Sequence, residues 1–336
     1  MSVLIDIRKA ANPASGLGQV CIHLSGALIR ANPDCSLHFL VNTFADAAFL
    51  SIRRQDKIIT PATLLNRYDR IHLTHQESRI PASVKGTRIM TIHDLNFFYR
   101  YGFVKRLIKK MKLLVGMRPC RRFSVVSQFT AADIRRVLGF SDHSITVIYN
   151  GVDCTEEQVQ PPFPVPHSFL LYLGNIHERK NLGVLFGMMQ HVEQPLILVG
   201  NGPDSQRRRF MEQANRLGIA NKLIFTGALP EGEKNFLLRE CDALVNPSLQ
   251  EGFGLPLMEA FYFGKPVFCF KASALAELGE GFAYFWEQDG AQQMAETIRK
   301  KLQAESAALQ AERTRYAKGF NWEKAAKEYL AWYRLP

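Results

Sequence analysis

Short apolar runs alternate along this chain with longer stretches in which apolar residues return every three or four positions. In the first half the runs fall at residues 2–7 (SVLIDI), 36–41 (SLHFLV), 87–92 (TRIMTI), 123–126 (FSVV) and 144–149 (SITVIY). The stretch that opens at Gly16 to Gly18 sets Val20, Leu24, Ala27 and Leu28 on one face of a helix, because side chains three or four positions apart stack on the same side. A second series follows at 169–174 (FLLYLG), 195–200 (PLILVG), 222–227 (KLIFTG), 242–247 (DALVNP) and 265–270 (KPVFCF). Buried strands alternating with helices predict an α/β chain whose parallel sheets are covered on both faces. Three of the later strands run into glycine, at Gly174, Gly200 and Gly227, where a chain must turn sharply and let a ligand approach its backbone. The segment from Gly290 to Pro336 predicts helix throughout.

Between the two series stand the turn signal Asn150-Gly151 and then TEEQVQPPFPVPHS, whose four prolines forbid regular structure. This predicts an N-terminal domain over 1–154, a linker over 155–167, a C-terminal domain over 168–318, and a last helix over 319–336 that packs back on the first domain. The length of 336 residues suits two domains. With 47% apolar and 22% charged residues the chain is an ordinary globular one, not disordered or collagen-like. Six scattered cysteines form no C-x-x-C pair, which points to a reducing compartment. The first residues read as a buried strand and not a signal peptide, and no apolar stretch is long enough to span a bilayer. The expected location is therefore cytoplasmic.

Charge changes the picture locally. Lysine and arginine number 42 against 31 acidic residues, a formal +11, which favours an anionic partner. From Arg100 to Phe123 there are nine basic residues and no acidic one. Over 103–117 a helix would place Lys105, Arg106, Lys109, Lys110 and Lys112 on one arc and Val104, Leu107, Ile108, Met111, Leu114 and Val115 on the other. Such a helix suits the anionic inner face of a membrane. The same pattern also suits a surface helix whose apolar side packs on the sheet.

The richest chemistry lies in PSLQEGFGLPLMEAFYFGKPV, residues 247–267. Glu251 falls in a loop, Gly252-Phe253-Gly254 supplies permissive backbone, Leu255 and Pro256 open a helix with proline suited to its first position, and Glu259 lies just over one turn in. Unpaired N–H groups and the positive end of the helix dipole make a seat for a diphosphate. The two glutamates would bracket a sugar nucleotide, Glu251 on the sugar and Glu259 on the ribose. The residues alone also fit a plain glycine-rich helix start with an exposed charge.

The run E-G-F-G-L-P-L-M-E resembles the E-x7-E signature of retaining glycosyltransferases of family 4, which have the GT-B fold. Other blocks resemble the family in the same order: GLGQVCIHLSGAL (16–28), MTIHDL (90–95), VVSQFTAADI (125–134), VIYNGVD (147–153), LGNIHERKNL (173–182), LVGNGPD (198–204), FTGALPEGE (225–233) and FNWEKAAKEYL (320–330). The resemblance spans nearly the whole chain. It implies two facing Rossmann-like domains with parallel sheets and a C-terminal helical crossover. It also implies catalytic roles for His93, Glu251 and Lys180, and donor binding by Gly16, Gly18, Arg179, Lys180, Gly252, Phe253, Gly254, Leu255 and Glu259. Arg179 and Lys180 would neutralise the departing diphosphate, His93 would reach the donor sugar near the reacting carbon, and Asp94 would hold its loop. Gly16 and Gly18 would let backbone approach the diphosphate, although they also suit a plain helix entry. Where the family carries an arginine after the strand-end glycine, this chain has Asn175.

No D-x-D occurs, so no metal and no cofactor are expected, the nucleotide sugar being a substrate. The R-K-N sequence at 179–181 resembles mannosyltransferases and points to GDP-mannose, with UDP-hexoses next. A glycan or lipid-linked saccharide is the implied acceptor, in cell-surface polysaccharide or lipopolysaccharide synthesis. An oxidoreductase would need a completed G-x-G-x-x-G after its first strand, which neither Gly16-Leu17-Gly18 nor Gly200-Asn201-Gly202 supplies. A nucleic-acid binder would need a base-reading element, and no nucleic acid is expected. A sugar-nucleotide epimerase or a phosphorylase would share the fold and stays open.

Overall fold

A computed structural model of the chain describes all residues except 32–33, 51–57, 140–144, 153, 156, 288–289 and 336. Ser144 in the run 144–149, Asp153 in the Asn150 turn, Glu156 in the proline-rich segment and Pro336 thus lie outside the described residues. The chain forms two compact units, Met1–Gly151 together with Phe320–Pro336, and Val152–Gly319.

In the first unit the elements run β1 (Ser2–Asp6), α1 (Gly16–Arg30), β2 (Ser36–Leu40), β3 (Ile58–Ile59), β4 (Arg67–Leu73), β5 (Lys85–Ile92), α2 (Asn96–Arg100), α3 (Phe103–Met117), β6 (Cys120–Val125), α4 (Gln128–Leu138) and β7 (Ile145–Val147). Seven strands form one parallel sheet in the order β3-β2-β1-β4-β5-β6-β7. Val3, Leu4, Ile5, Phe39, Ile71 and Ile89 are wholly buried, each worth about 1.5–3 kcal/mol relative to exposure. Ser15 caps α1 by accepting from the Gly18 N–H at 3.0 Å, and Val20, Leu24, Ala27 and Leu28 are all buried, one face as the spacing predicts.

β3 and β4 are absent from the sequence reading. β4, RYDRIHL, escapes because Arg67, Asp69 and Arg70 break its apolar pattern, yet its second half is fully buried in the middle of the sheet. α3 forms as its spacing predicts, but only Leu113, Gly116 and Met117 are buried. Phe103, Val104, Leu107, Ile108, Met111 and Val115 stand 49–76% exposed, so the bulk of the apolar arc does not pack on the sheet.

The second unit runs β8 (Leu170–Leu173), α5 (Leu182–Met189), β9 (Leu196–Val199), α6 (Asp204–Arg216), β10 (Leu223–Gly227), α7 (Glu231–Glu240), β11 (Ala243–Asn246), α8 (Leu255–Tyr262), β12 (Val267–Phe270), α9 (Ser273–Gly279), β13 (Tyr284–Trp286), α10 (Ala291–Gln303) and α11 (Ala307–Lys318). Its parallel sheet has the order β10-β9-β8-β11-β12-β13. The proline-rich segment has no helix or strand among its described residues, and it packs on this unit: Val159 N donates to Gly232 O at 3.2 Å and Asn235 Nδ2 to Thr155 O at 3.2 Å.

Helix does not run unbroken from Gly290 onward. It stops after Gln303 and again after Lys318, where Ser306 and Asn321 cap new helices with their side chains. The last of these, α12 (Trp322–Arg334), returns to the first unit and buries Trp322, Tyr329, Trp332 and Tyr333. Tyr333 Oη meets His72 Nδ1 at 2.8 Å, and Arg70 and Arg122 donate to the carbonyls of Tyr333 and Trp332 at 3.1 Å. Among the described residues no helix is long and apolar enough to cross a membrane.

Candidate functional site

In each sheet the strand order reverses once, between β1 and β4 in the first unit and between β8 and β11 in the second. Chain leaving adjacent strands in opposite directions opens a crevice at their carboxyl ends, the usual ligand seat of such sheets. The residues singled out from the sequence gather at these two places.

In the second unit β8 ends in Gly174 and leads to a tight helical turn, Glu178–Lys180, while β11 leads through Pro247 and Ser248 to Glu251. Lys180 Nζ lies 2.5 Å from Glu251 Oε1, with the two side chains 16% and 15% exposed. The loops are tied together by Asn181, whose Nδ2 donates to Pro247 O at 3.2 Å. Glu251 is held from behind, its N–H donating to Ser273 Oγ at 2.9 Å. Among the described residues only Asn181 and Ser273 hold positive φ without being glycine, at 58° and 53°. Backbone in that region costs energy and persists where the surroundings dictate it, and here both residues brace the same ion pair.

Arg179 is exposed, and among the described residues its guanidinium forms no ion pair. Its backbone N–H donates to His177 Nδ1 at 3.2 Å, which orients the turn. The carbonyl of Asn175 accepts from the buried Tyr172 hydroxyl at 3.1 Å, so this position shapes the loop.

Gly254 caps α8 with φ 93°, a conformation that favours glycine, and a Cβ there would sit 2.7 Å from Leu275 Cδ2, which would have to turn aside. Pro256 is the second helical residue rather than the first, because Leu255 already has helical geometry after the left-handed Gly254. Phe253 is buried and anchors the turn, while Gly252 and Leu255 are half-buried. Pro256 has no N–H, and the Leu257 and Met258 amides donate to Gly254 O at 3.0 and 3.3 Å, so of the amides at the start of α8 it is that of Leu255, at the positive end of the helix, that suits an anion. Glu259 accepts from Lys234 Nζ at 2.8 Å.

In the first unit His93 follows β5 and is buried. Its Nε2 lies 2.9 Å from Thr74 O. A carbonyl only accepts, so Nε2 carries the proton and Nδ1 keeps its lone pair. Burial pushes the His93 pKa down to about 4, against the raising effect of the Thr74 carbonyl, and the ring is neutral near pH 7. It acts there as a hydrogen-bonding group and not as a cation. Gln76 braces it, accepting from His93 N at 3.2 Å and donating to Asp94 O at 3.0 Å. Asp94 Oδ1 accepts from Asn96 N at 3.0 Å, a loop contact. Gly18 is needed for close approach, since a Cβ would lie 2.0 Å from Asn12 O, but its N–H is already engaged by Ser15; Gly16 has open space around it.

The structure thus joins Lys180 to Glu251 and sets Gly252, Phe253, Gly254, Leu255 and Glu259 on the turn and helix beyond, all within the second unit, while His93, Gly16 and Gly18 belong to the first. Asn181, Lys234, Ser273 and Gln76 carry contacts that no motif marked, apart from Asn181 as the last letter of R-K-N.

Two Rossmann-like units, each with a parallel sheet, and a terminal helix define the GT-B fold class. The family described as Glycosyl transferases group 1 matches residues 153–320, and Glycosyltransferase Family 4 matches 49–156. The chain belongs to the group 1 glycosyl transferases. It is similar to O-antigen chain mannosyltransferase B of Escherichia coli, 25% identical over 273 residues that make up 74% of this chain and 70% of that protein. A stretch of 163 residues is 29% identical to the serotype-specific mannosyltransferase WbdA of Escherichia coli, covering 46% of this chain but only 20% of that longer protein. Among solved structures, HepE of Anabaena in complex with UDP and glucose matches with a TM-score of 0.75 and 19% identity over 98% of both chains, a likeness of fold.

Proposed function

We propose that this glycosyltransferase moves mannose from GDP-mannose, with retention of anomeric configuration and without a metal, to a glycan or lipid-linked acceptor in cell-surface polysaccharide synthesis. The observation that carries this reading is the Lys180–Glu251 pair at the β8/β11 reversal, beside the start of α8. An ammonium has three donors, and Glu251 takes one, leaving two for the diphosphate. Arg179 and the positive end of α8, with the Leu255 N–H, add positive charge where the leaving group gathers negative charge. Glu251 would accept from sugar hydroxyls and Glu259 from the ribose. The anomeric carbon parts from the diphosphate oxygen while the acceptor oxygen attacks from the same face. The acceptor's proton passes to the departing phosphate oxygen. His93, neutral with Nδ1 free to accept, orients a sugar hydroxyl. The mannosyltransferase relatives support the sugar and the polysaccharide context, and the UDP complex of HepE keeps a UDP-hexose as the second reading.

We further propose that α3 rests on an anionic membrane, the protein working at the cytoplasmic face. Exposed Phe103, Leu107, Ile108 and Met111 would enter the lipid boundary while Lys105, Lys109, Lys110 and Lys112 meet phosphate heads.

The test is transfer from GDP-mannose, UDP-glucose and related donors to lipid-linked saccharide with and without EDTA, followed by NMR of the new linkage. An α product from GDP-mannose, unaffected by chelation, is expected. An inverted linkage, or activity lost to EDTA and restored by manganese, would overturn the mechanism.

A further inference from the structure

Among the described residues Lys234 is the lysine that meets the second glutamate of the site, and no sequence motif marks it. It sits on α7 with Nζ 2.8 Å from Glu259 Oε1, the side chains being 21% and 18% exposed. Burial opposes the charge on Lys234, yet its pKa is raised because the Glu259 carboxylate attracts the ammonium and accepts its proton in a hydrogen bond. Among the described residues Glu259 Oε2 has no partner. The lysine's own support is firm: the start of α7 is tied down by Val159 N on Gly232 O, and the next residue, Asn235, is buried and donates to Thr155 O and Oγ1 at 3.2 and 3.1 Å.

A glutamate on the first turns of a helix has several rotamers, and ordering it upon binding costs affinity. We propose that Lys234 is a positioning residue that holds one oxygen of Glu259 so that the other faces the vicinal 2′- and 3′-hydroxyls of the donor's ribose. This rests on Glu259 being the ribose ligand. It adds that the carboxylate is oriented before the nucleotide arrives, and that the proline-rich segment, by clamping α7, is part of the donor site's framework.

The test compares GDP with 2′,3′-dideoxy-GDP by calorimetric titration of the full chain. In Lys234→Met, GDP binding should weaken about tenfold, as for a misplaced hydrogen bond to a charged group, while dideoxy-GDP binding should stay unchanged. Lys234→Arg should keep most of the preference for the ribose form. Equal weakening of both nucleotides, or of neither, overturns the proposal. Glu259→Gln tests the underlying reading separately: if it fails to erase the preference for GDP over dideoxy-GDP, the ribose assignment itself is wrong. Should Lys234→Met not fold, the neutral double variant Lys234→Met/Glu259→Gln takes its place. It should bind GDP no more weakly than Glu259→Gln alone, and a further loss would overturn the proposal.

Discussion

Replacing Lys180 by methionine separates what the Lys180–Glu251 pair does for stability from what it does for chemistry. With side chains 16% and 15% exposed, the pair lies between two regimes. Breaking a fully buried pair costs about 3–5 kcal/mol, because a charge is left without a partner, whereas an exposed pair is worth about 0–1 kcal/mol. A cost of about 2–3 kcal/mol is expected for Lys180→Met, which in a unit of this size lowers the melting temperature by roughly 4–12 °C. Adding Glu251→Gln removes the stranded carboxylate and should restore stability to within about 1 kcal/mol of the parent. Transfer should not return. If Lys180 donates to the departing diphosphate as proposed, its loss costs about 10²–10³ in kcat, and on the same proposal the double variant lacks the sugar ligand as well. Scanning calorimetry without nucleotide, beside a nucleoside diphosphate release assay, reads both quantities. If Lys180→Met melts like the parent, the pair is not desolvated. If the double variant regains turnover, Lys180 does not act on the leaving group.

Two further outcomes follow from the first unit. Burial pushes His72, His75 and His93 down to about 3, 3 and 4. Between those values and the unfolded value of about 6.5 the unfolded chain binds more protons, so stability falls with falling pH, by up to about 1.4 kcal/mol per histidine per pH unit; a flat denaturation profile from pH 6.5 to 4.5 would refute their burial as neutral rings. Phe103, Leu107 and Met111 changed together to serine should abolish flotation with anionic vesicles at low salt while leaving the melting temperature in place, since all three are at least half exposed. Undiminished vesicle binding would remove α3 as the contact.

Much of the fold was legible because its strands are buried on both faces and so read as unbroken apolar runs. β4 was lost because the first half of the strand is partly solvent-facing and carries Arg67, Asp69 and Arg70, while β3 and β13 are two and three residues long. On α3 the sequence specified the two arcs but not which one the sheet would cover, since that depends on where Leu113 and Met117 land. At the candidate site the glycines and both glutamates stood out because they fall together in one short run, E-G-F-G-L-P-L-M-E, at the start of a helix. Lys234, Gln76 and Ser273 act across gaps of 25, 17 and 22 residues, and no local pattern encodes such meetings.

The return of α12 to the first unit has a consequence for synthesis on the ribosome. Tyr333 completes the buried cluster around His72, yet it is translated only after the whole of Val152–Gly319 has emerged. The second unit therefore has every residue it needs while the first still exposes the aromatic seat meant for Trp332 and Tyr333. A nascent chain halted near Gly319 would be half finished in a specific sense, with one module closed and the other waiting for its final helix.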